Sequence, residues 1–332
     1  MAYPAKEINL MMKMLGCSLL FVGITFSAPP GDAVQKGVRW LVSSQGADGG
    51  WGQDGGGSST VRVNQRREAQ GAESMGNDVA NTSVAALALI RGSAPREPVR
   101  RAVEFVLRHV EESPEEGLAI TRITGTQIQG KLGPYIDTFL GAMLLSEVEQ
   151  TPRVKTALQK CVRKIERNQQ KDGSWNISGG WAPVLGTSIA SQGLFKAREK
   201  GIRVEQAVLD KAKDYAARSA KAGPAASTAE SAGVSLYAGA QQLEQLSRSS
   251  ADRRDNRDEI RTITAQLSDQ RFVRGFGSMG GEEFFSYLNI SDSLQRAGGE
   301  DWFKWNRQIK ETLVKLQNED GTWAGHHCIT GR

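Results

Sequence analysis

Cysteine and histidine are scarce here, three of each in 332 residues. Three cysteines exclude a scaffold stapled by several disulfides. Only Cys161 and Cys328 lie beyond the N-terminal segment. One bridge between them is the most they could form, and Cys161 falls on a helical stripe, where it reads as a small buried hydrophobe. A block of one charge is missing as well. The 42 Lys and Arg residues face 37 Asp and Glu, net +5, and the basic residues are dispersed, which speaks against nucleic acid as a partner.

Residues 1–27 read as a targeting segment: Lys6 and Lys13 lead, Leu15 to Phe26 is apolar, and Thr25-Phe26-Ser27 offers a cleavage site. Cleavage implies export, periplasmic or secreted; retention implies an N-terminal membrane anchor, the one membrane contact expected. The remainder, 28–332, is long enough for one large helical domain.

Glycine is abundant, 37 residues clustered at 46–57, 173–186, 275–281 and 321–325, and it marks loops. Three of these clusters hold one repeated stretch, Gln-x-x-Asp-Gly-x-Trp, at Gln45–Trp51, Gln169–Trp175 and Gln317–Trp323. An amphipathic stripe precedes each copy: Val34, Val38, Leu41; Val154, Leu158, Cys161, Ile165; and Trp305, Ile309, Leu313, Leu316. Each copy therefore ends a helix. Asp48, Asp172 and Asp320 with the glycine after each stop it, because Gly accepts a positive φ and Asp bonds the backbone of its own turn. Trp51, Trp175 and Trp323 then fold back on the helix end.

Lys36-Gly37-Val38-Arg39-Trp40-Leu41, then Gln45 and Asp48-Gly49-Gly50-Trp51, resembles a QW repeat of the squalene–hopene cyclase and prenyltransferase superfamily. The second copy has Lys164 where the pattern has an aromatic; the third keeps Leu313, Gln317, Asp320, Gly321 and Trp323. The resemblance covers roughly residues 32–332. It implies an all-α chain folded as an α/α toroid, in which outer helices alternate with inner helices around a central cavity. About six outer and five inner helices are expected; where the pattern would start another inner helix, either the sequence is truncated, the ring stays open, or some other segment closes it.

Apolar stretches after Asn77–Thr82, Tyr135–Thr138 and Leu185–Thr187 read as inner helices, each opened by a Thr. The loop Gly52–Gly76 is long enough to cover one mouth of the cavity. Helix N-termini there converge on an apolar space, where chemistry is to be sought. Hopene-type cyclases carry Asp-x-Asp-Asp-Thr-Ala at such a place, and its middle Asp protonates an alkene. Here the stretch is Asp78-Val79-Ala80-Asn81-Thr82-Ser83. Ala80 has no proton to give, so squalene cyclisation is not expected, and Asp78, Asn81 and Thr82 read as helix caps.

A second group is Gly325-His326-His327-Cys328 with Glu282, Glu283 and Asp137. Protein prenyltransferases of the superfamily hold zinc through Asp, Cys and His, so the resemblance implies His326 and Cys328 as metal ligands. Without metal, Glu282, Glu283, His326, His327 and Asp137 are acid–base candidates. Glu282, Glu283, His326 and His327 are expected at one rim of the cavity. Trp181, Phe285 and Tyr287, with Phe284 and Trp323, form either a stacking surface for substrate or ordinary core. The lack of Gly-Cys-Gly-Glu-Gln speaks against a thioester domain, while a polysaccharide-lyase toroid, whose acid–base residues need no contiguous motif, stays open. Two functions follow. One is an exported toroid that binds, and with those residues transforms, an isoprenoid or other apolar ligand. The other is a non-catalytic binding or scaffold module that retains the fold.

Overall fold

A computed structural model describes residues 31–52, 76–177, 183–221, 234–247, 250–267 and 283–323. These are all-α: the order is α1 (Asp32–Ser44), α2 (Val79–Arg91), α3 (Arg96–Glu112), α4 (Gln127–Leu132), α5 (Ile136–Glu147), α6 (Pro152–Arg167), α7 (Pro183–Glu199), α8 (Gln206–Lys221), α9 (Val234–Leu246), α10 (Ser250–Asp255), α11 (Arg257–Leu267), α12 (Glu283–Ala297) and α13 (Glu300–Leu316). Extended pairing among the described residues is limited to two isolated bridges, Trp51 with Asp78 and Gln317 with Trp323. The targeting segment 1–27 and most of the loop Gly52–Gly76 lie outside the described residues.

Local chemistry sets the helix ends. Asp78 caps α2, its carboxylate accepting from Asn81 N, and Thr151 caps α6 with Pro152 at the first helical position. Thr126 and Gln129 form a reciprocal capping box on α4. The expected inner helices start earlier than the apolar runs suggested: Asp137 and Thr138 lie within the first turn of α5, and Thr187 lies within α7. A residue whose side chain bonds a neighbouring segment can occupy a first turn as readily as precede it, and hydropathy does not separate the two cases.

The helices differ in how much they bury. In α5 every residue from Ile136 to Ser146 is buried, whereas α1 buries only Gly37 and Val38. The apolar helices contact one another in sequence order, α2 on α5, α5 on α7, α7 on α9 and α9 on α12. Gly193 lets α7 come close to α5, because a Cβ there would stand 3.2 Å from the Phe139 carbonyl oxygen. The amphipathic helices place one face on this series, α3 on α2, α6 on α5, α8 on α9 and α13 on α12.

Candidate functional site

The three copies of the repeated stretch build one junction three times. Gln45 Nε2 donates to the Gly49 and Pro98 carbonyls, Gln169 Nε2 to those of Gly173 and Val208, and Gln317 Nε2 to those of Gly321 and Ala33, all at 2.7–3.1 Å. Asp48, Asp172 and Asp320 each accept from the backbone N–H two residues on. The glycine that follows sits at φ of 91–92° and presses on the next helix: a Cβ would lie 2.6 Å from Arg101 O, 2.2 Å from Lys211 O and 2.6 Å from Lys36 O. Trp51, Trp175 and Trp323 return Nε1 to the carbonyls of Leu41, Ile165 and Leu313 at 2.7–3.0 Å. So the first copy ends α1 and receives α3, the second ends α6 and receives α8, and the third ends α13 and receives α1.

The threonines of the apolar helices have a use as well. Trp51 N donates to Thr82 Oγ1 and Trp175 N to Thr187 Oγ1. Each ties a junction to the start of an apolar helix. Thr138 Oγ1 instead donates to the Leu118 carbonyl.

Asp137 is the sequence-predicted acid that the structure describes in full. It is 1% exposed, in the first turn of α5. Its Oδ1 accepts from Ala80 N at 3.0 Å and its Oδ2 from Gln129 Nε2 at 2.7 Å. Burial, and then repulsion from the Asp78 carboxylate, raises its pKa to about 7 against the opposing pull of Gln129. Asp78, also 1% exposed, is raised by burial and held down by Asn81 and Ala80. Ala80 thus carries no acid of its own, but a buried carboxyl from α5 sits on its amide. Sequence reasoning missed Gln129, the residue that orients this carboxyl; its one signal was the capping spacing from Thr126.

The other predicted residues divide. Glu282, His326, His327, Cys328 and Trp181 lie outside the described residues, and Glu283 and Phe285 are placed by their backbone in the first turn of α12. Tyr287 is half-buried and packs its ring on Phe284 and Trp305, 6.1 and 6.3 Å between centroids, where α12 meets α13. Among the described residues no group of three His, Cys, Asp or Glu is placed to hold a metal. Cys161 is free and fully buried, its thiol pushed up to about 12 by burial. His109 is half-buried on the Phe105 ring, 4.7 Å between centroids, and burial lowers its pKa. Lys164, standing in for an aromatic, is 1% exposed and donates to the carbonyls of Glu116, Gly117 and Ala119.

Between four of the apolar helices lies a cavity of about 140 Å³. Val84, Leu87 and Ala88 of α2, Leu140 and Met143 of α5, Leu185 and Ile189 of α7, and Leu288 of α12 give it an apolar wall. Ala88 and Leu288 are exposed although they belong to apolar helices. At one end Arg91 of α2 bridges Glu147 of α5 at 2.8 Å and Asp292 of α12 at 3.4 Å, and Lys196 of α7 joins Glu147 at 2.5 Å. Gln192 of α7 and Asn289 of α12 are the polar side chains of the wall besides Arg91. Neither was singled out from the sequence, where the only sign was a carboxamide inside an apolar run. No protein-family model, curated protein or solved structure matches this chain.

Proposed function

We propose that this is an exported α/α toroid of the squalene–hopene cyclase and prenyltransferase type that binds an apolar small molecule among its inner helices. In this reading α1, α3, α6, α8, α11 and α13 are the outer helices and α2, α5, α7, α9 and α12 the inner ones. The QW-like junctions support it, since the third receives α1 as the first receives α3. The observation that carries the ligand is the cavity, which draws its apolar wall from helices 79–91, 136–147, 183–199 and 283–297. Exposed apolar side chains on otherwise buried helices are stabilised when an apolar body covers them. A space of this size seats a small apolar group, since a cavity of about 150 Å³ takes benzene, and the remainder of a longer chain would cover the exposed Ala88 and Leu288.

Binding, rather than squalene cyclisation, fits the site. Ala80 stands where the superfamily has its proton donor, and Asp137 is spent on the Ala80 amide and Gln129. Calorimetric titration of the mature chain with the ten-carbon terpenes geraniol and myrcene tests the reading. At least one should bind, and Ala88→Phe, which fills the cavity from an exposed position, should abolish binding while the helical circular dichroism is retained. Binding of neither, or binding unaffected by Ala88→Phe, would remove the proposal.

A further inference from the structure

Two carboxamides in an apolar wall call for a physical account, because a buried polar group without its full complement of hydrogen bonds is costly. Gln192 is 6% exposed and Asn289 4%. They come from α7 and α12, 97 residues apart, and Gln192 Nε2 donates to Asn289 Oδ1. Gln192 Nε2 also donates to Ser188 Oγ at 3.5 Å, and Asn289 Nδ2 donates to the same hydroxyl at 3.2 Å. A carboxamide pair has four N–H donors and two carbonyl oxygens. Both Gln192 hydrogens, one Asn289 hydrogen and the Asn289 oxygen are thereby engaged. One Asn289 N–H and the Gln192 oxygen are left, and both side chains stand in the cavity wall. One donor beside one acceptor is what a hydroxyl complements, since it gives one hydrogen and accepts another.

The charged groups of the wall point the same way. Arg91 is the one cation there among the described residues, and its guanidinium is engaged by Glu147 and Asp292. A diphosphate or carboxylate brought to that end would meet those two carboxylates before it met a free cation.

Resting on the apolar-ligand reading above, we infer that the ligand of this cavity is a neutral alcohol whose hydroxyl donates to Gln192 Oε1 and accepts from Asn289 Nδ2. Its hydrocarbon body lies against Leu87, Leu140, Met143 and Ile189. The pair then selects the ligand's class, and the apolar wall supplies most of the affinity.

Geraniol, myrcene and geranyl diphosphate share a ten-carbon skeleton and differ in the head. Geraniol should bind the mature chain on the order of tenfold or more tightly than myrcene, as two neutral hydrogen bonds allow, and geranyl diphosphate should bind more weakly than geraniol. In Gln192→Leu and Asn289→Leu the preference for geraniol over myrcene should vanish. Should those variants fail to fold, the side-chain amide NMR signals of the unaltered protein provide the readout: Gln192 and Asn289 should shift with geraniol and stay with myrcene. Equal binding of geraniol and myrcene, with amide signals unmoved, overturns the hydroxyl assignment while leaving the apolar site standing. Preference for the diphosphate overturns it as well. Binding of none of the three removes the apolar site itself.

Discussion

Gln317 donates to the carbonyl of Ala33, 284 residues before it, at 2.7 Å. The bond is the counterpart of Gln45 to Pro98 and of Gln169 to Val208. At the other two junctions an arginine ten residues past the accepting carbonyl adds a second tie: Arg108 Nη2 donates to Asp48 O and Arg218 Nη2 to Asp172 O. On α1 that position is Ser43, whose hydroxyl donates to Trp40 O within its own helix. Among the described residues, the contact between the third repeat and α1 is therefore the least tied of the three.

Native-state hydrogen exchange should show this ranking. Amides of Gly321 and Thr322 are expected to exchange faster than those of Gly173 and Ser174, their equivalents in the second repeat, because local opening follows local stability. Equal protection at both sites would contradict the ranking.

Gly173→Ala should be more harmful than an exposed glycine substitution. At φ of 91° the new Cβ would meet the Lys211 carbonyl at 2.2 Å, so the cost combines left-handed strain with displacement of α8. A loss on the order of 2–3 kcal/mol or more is expected in chemical denaturation, whereas Gly201→Ala, at φ of 80° with nothing near its Cβ, should lose about 1 kcal/mol.

Trp175 is 4% exposed, sets its ring edge-on to Phe139 at 6.4 Å, and donates to Ile165 O. Trp175→Ala should cost about 3–5 kcal/mol. Trp51, 3% exposed, should behave alike, and half-buried Trp323 should cost less. Thermal unfolding of the three variants checks the order.

Asp137 gives the fold a pH dependence with a definite sign. Its folded pKa, about 7, lies above the ordinary 3.8, so the folded state holds a proton that the unfolded state releases. The associated stability is complete below 3.8, declines as pH rises, and is lost above about 7. Melting temperatures of the wild type and of Asp137→Asn across that window should show a declining component in the first that is absent from the second. Parallel curves would assign the slope elsewhere.

Gln241 on α9 is fully buried, and neither Nε2 nor Oε1 has a hydrogen-bond partner among the described residues. An unsatisfied buried carboxamide costs about 1–3 kcal/mol, and an apolar side chain of the same length avoids that cost. Gln241→Met should raise the melting temperature. A fall would mean that the carboxamide holds a bound group.

The alternation of amphipathic and apolar helices was legible along the chain, because periodicity in hydropathy is a local property. So were the turns at Gln45–Trp51, Gln169–Trp175 and Gln317–Trp323, since Asp-Gly stops a helix by its own backbone chemistry. Residue order could not show that Gln317 reaches Ala33, that Asp137 lies on the amide of Ala80, or that Gln192 and Asn289 share one wall. Each joins elements far apart in sequence, and only packing brings them together. The value of about 7 at Asp137 was equally out of reach, because burial and a neighbouring carboxylate set it. The helices, and the turns that end three of them, were thus determined by the sequence alone. Tertiary structure decided which of those ends meet, and what the space between the apolar helices can hold.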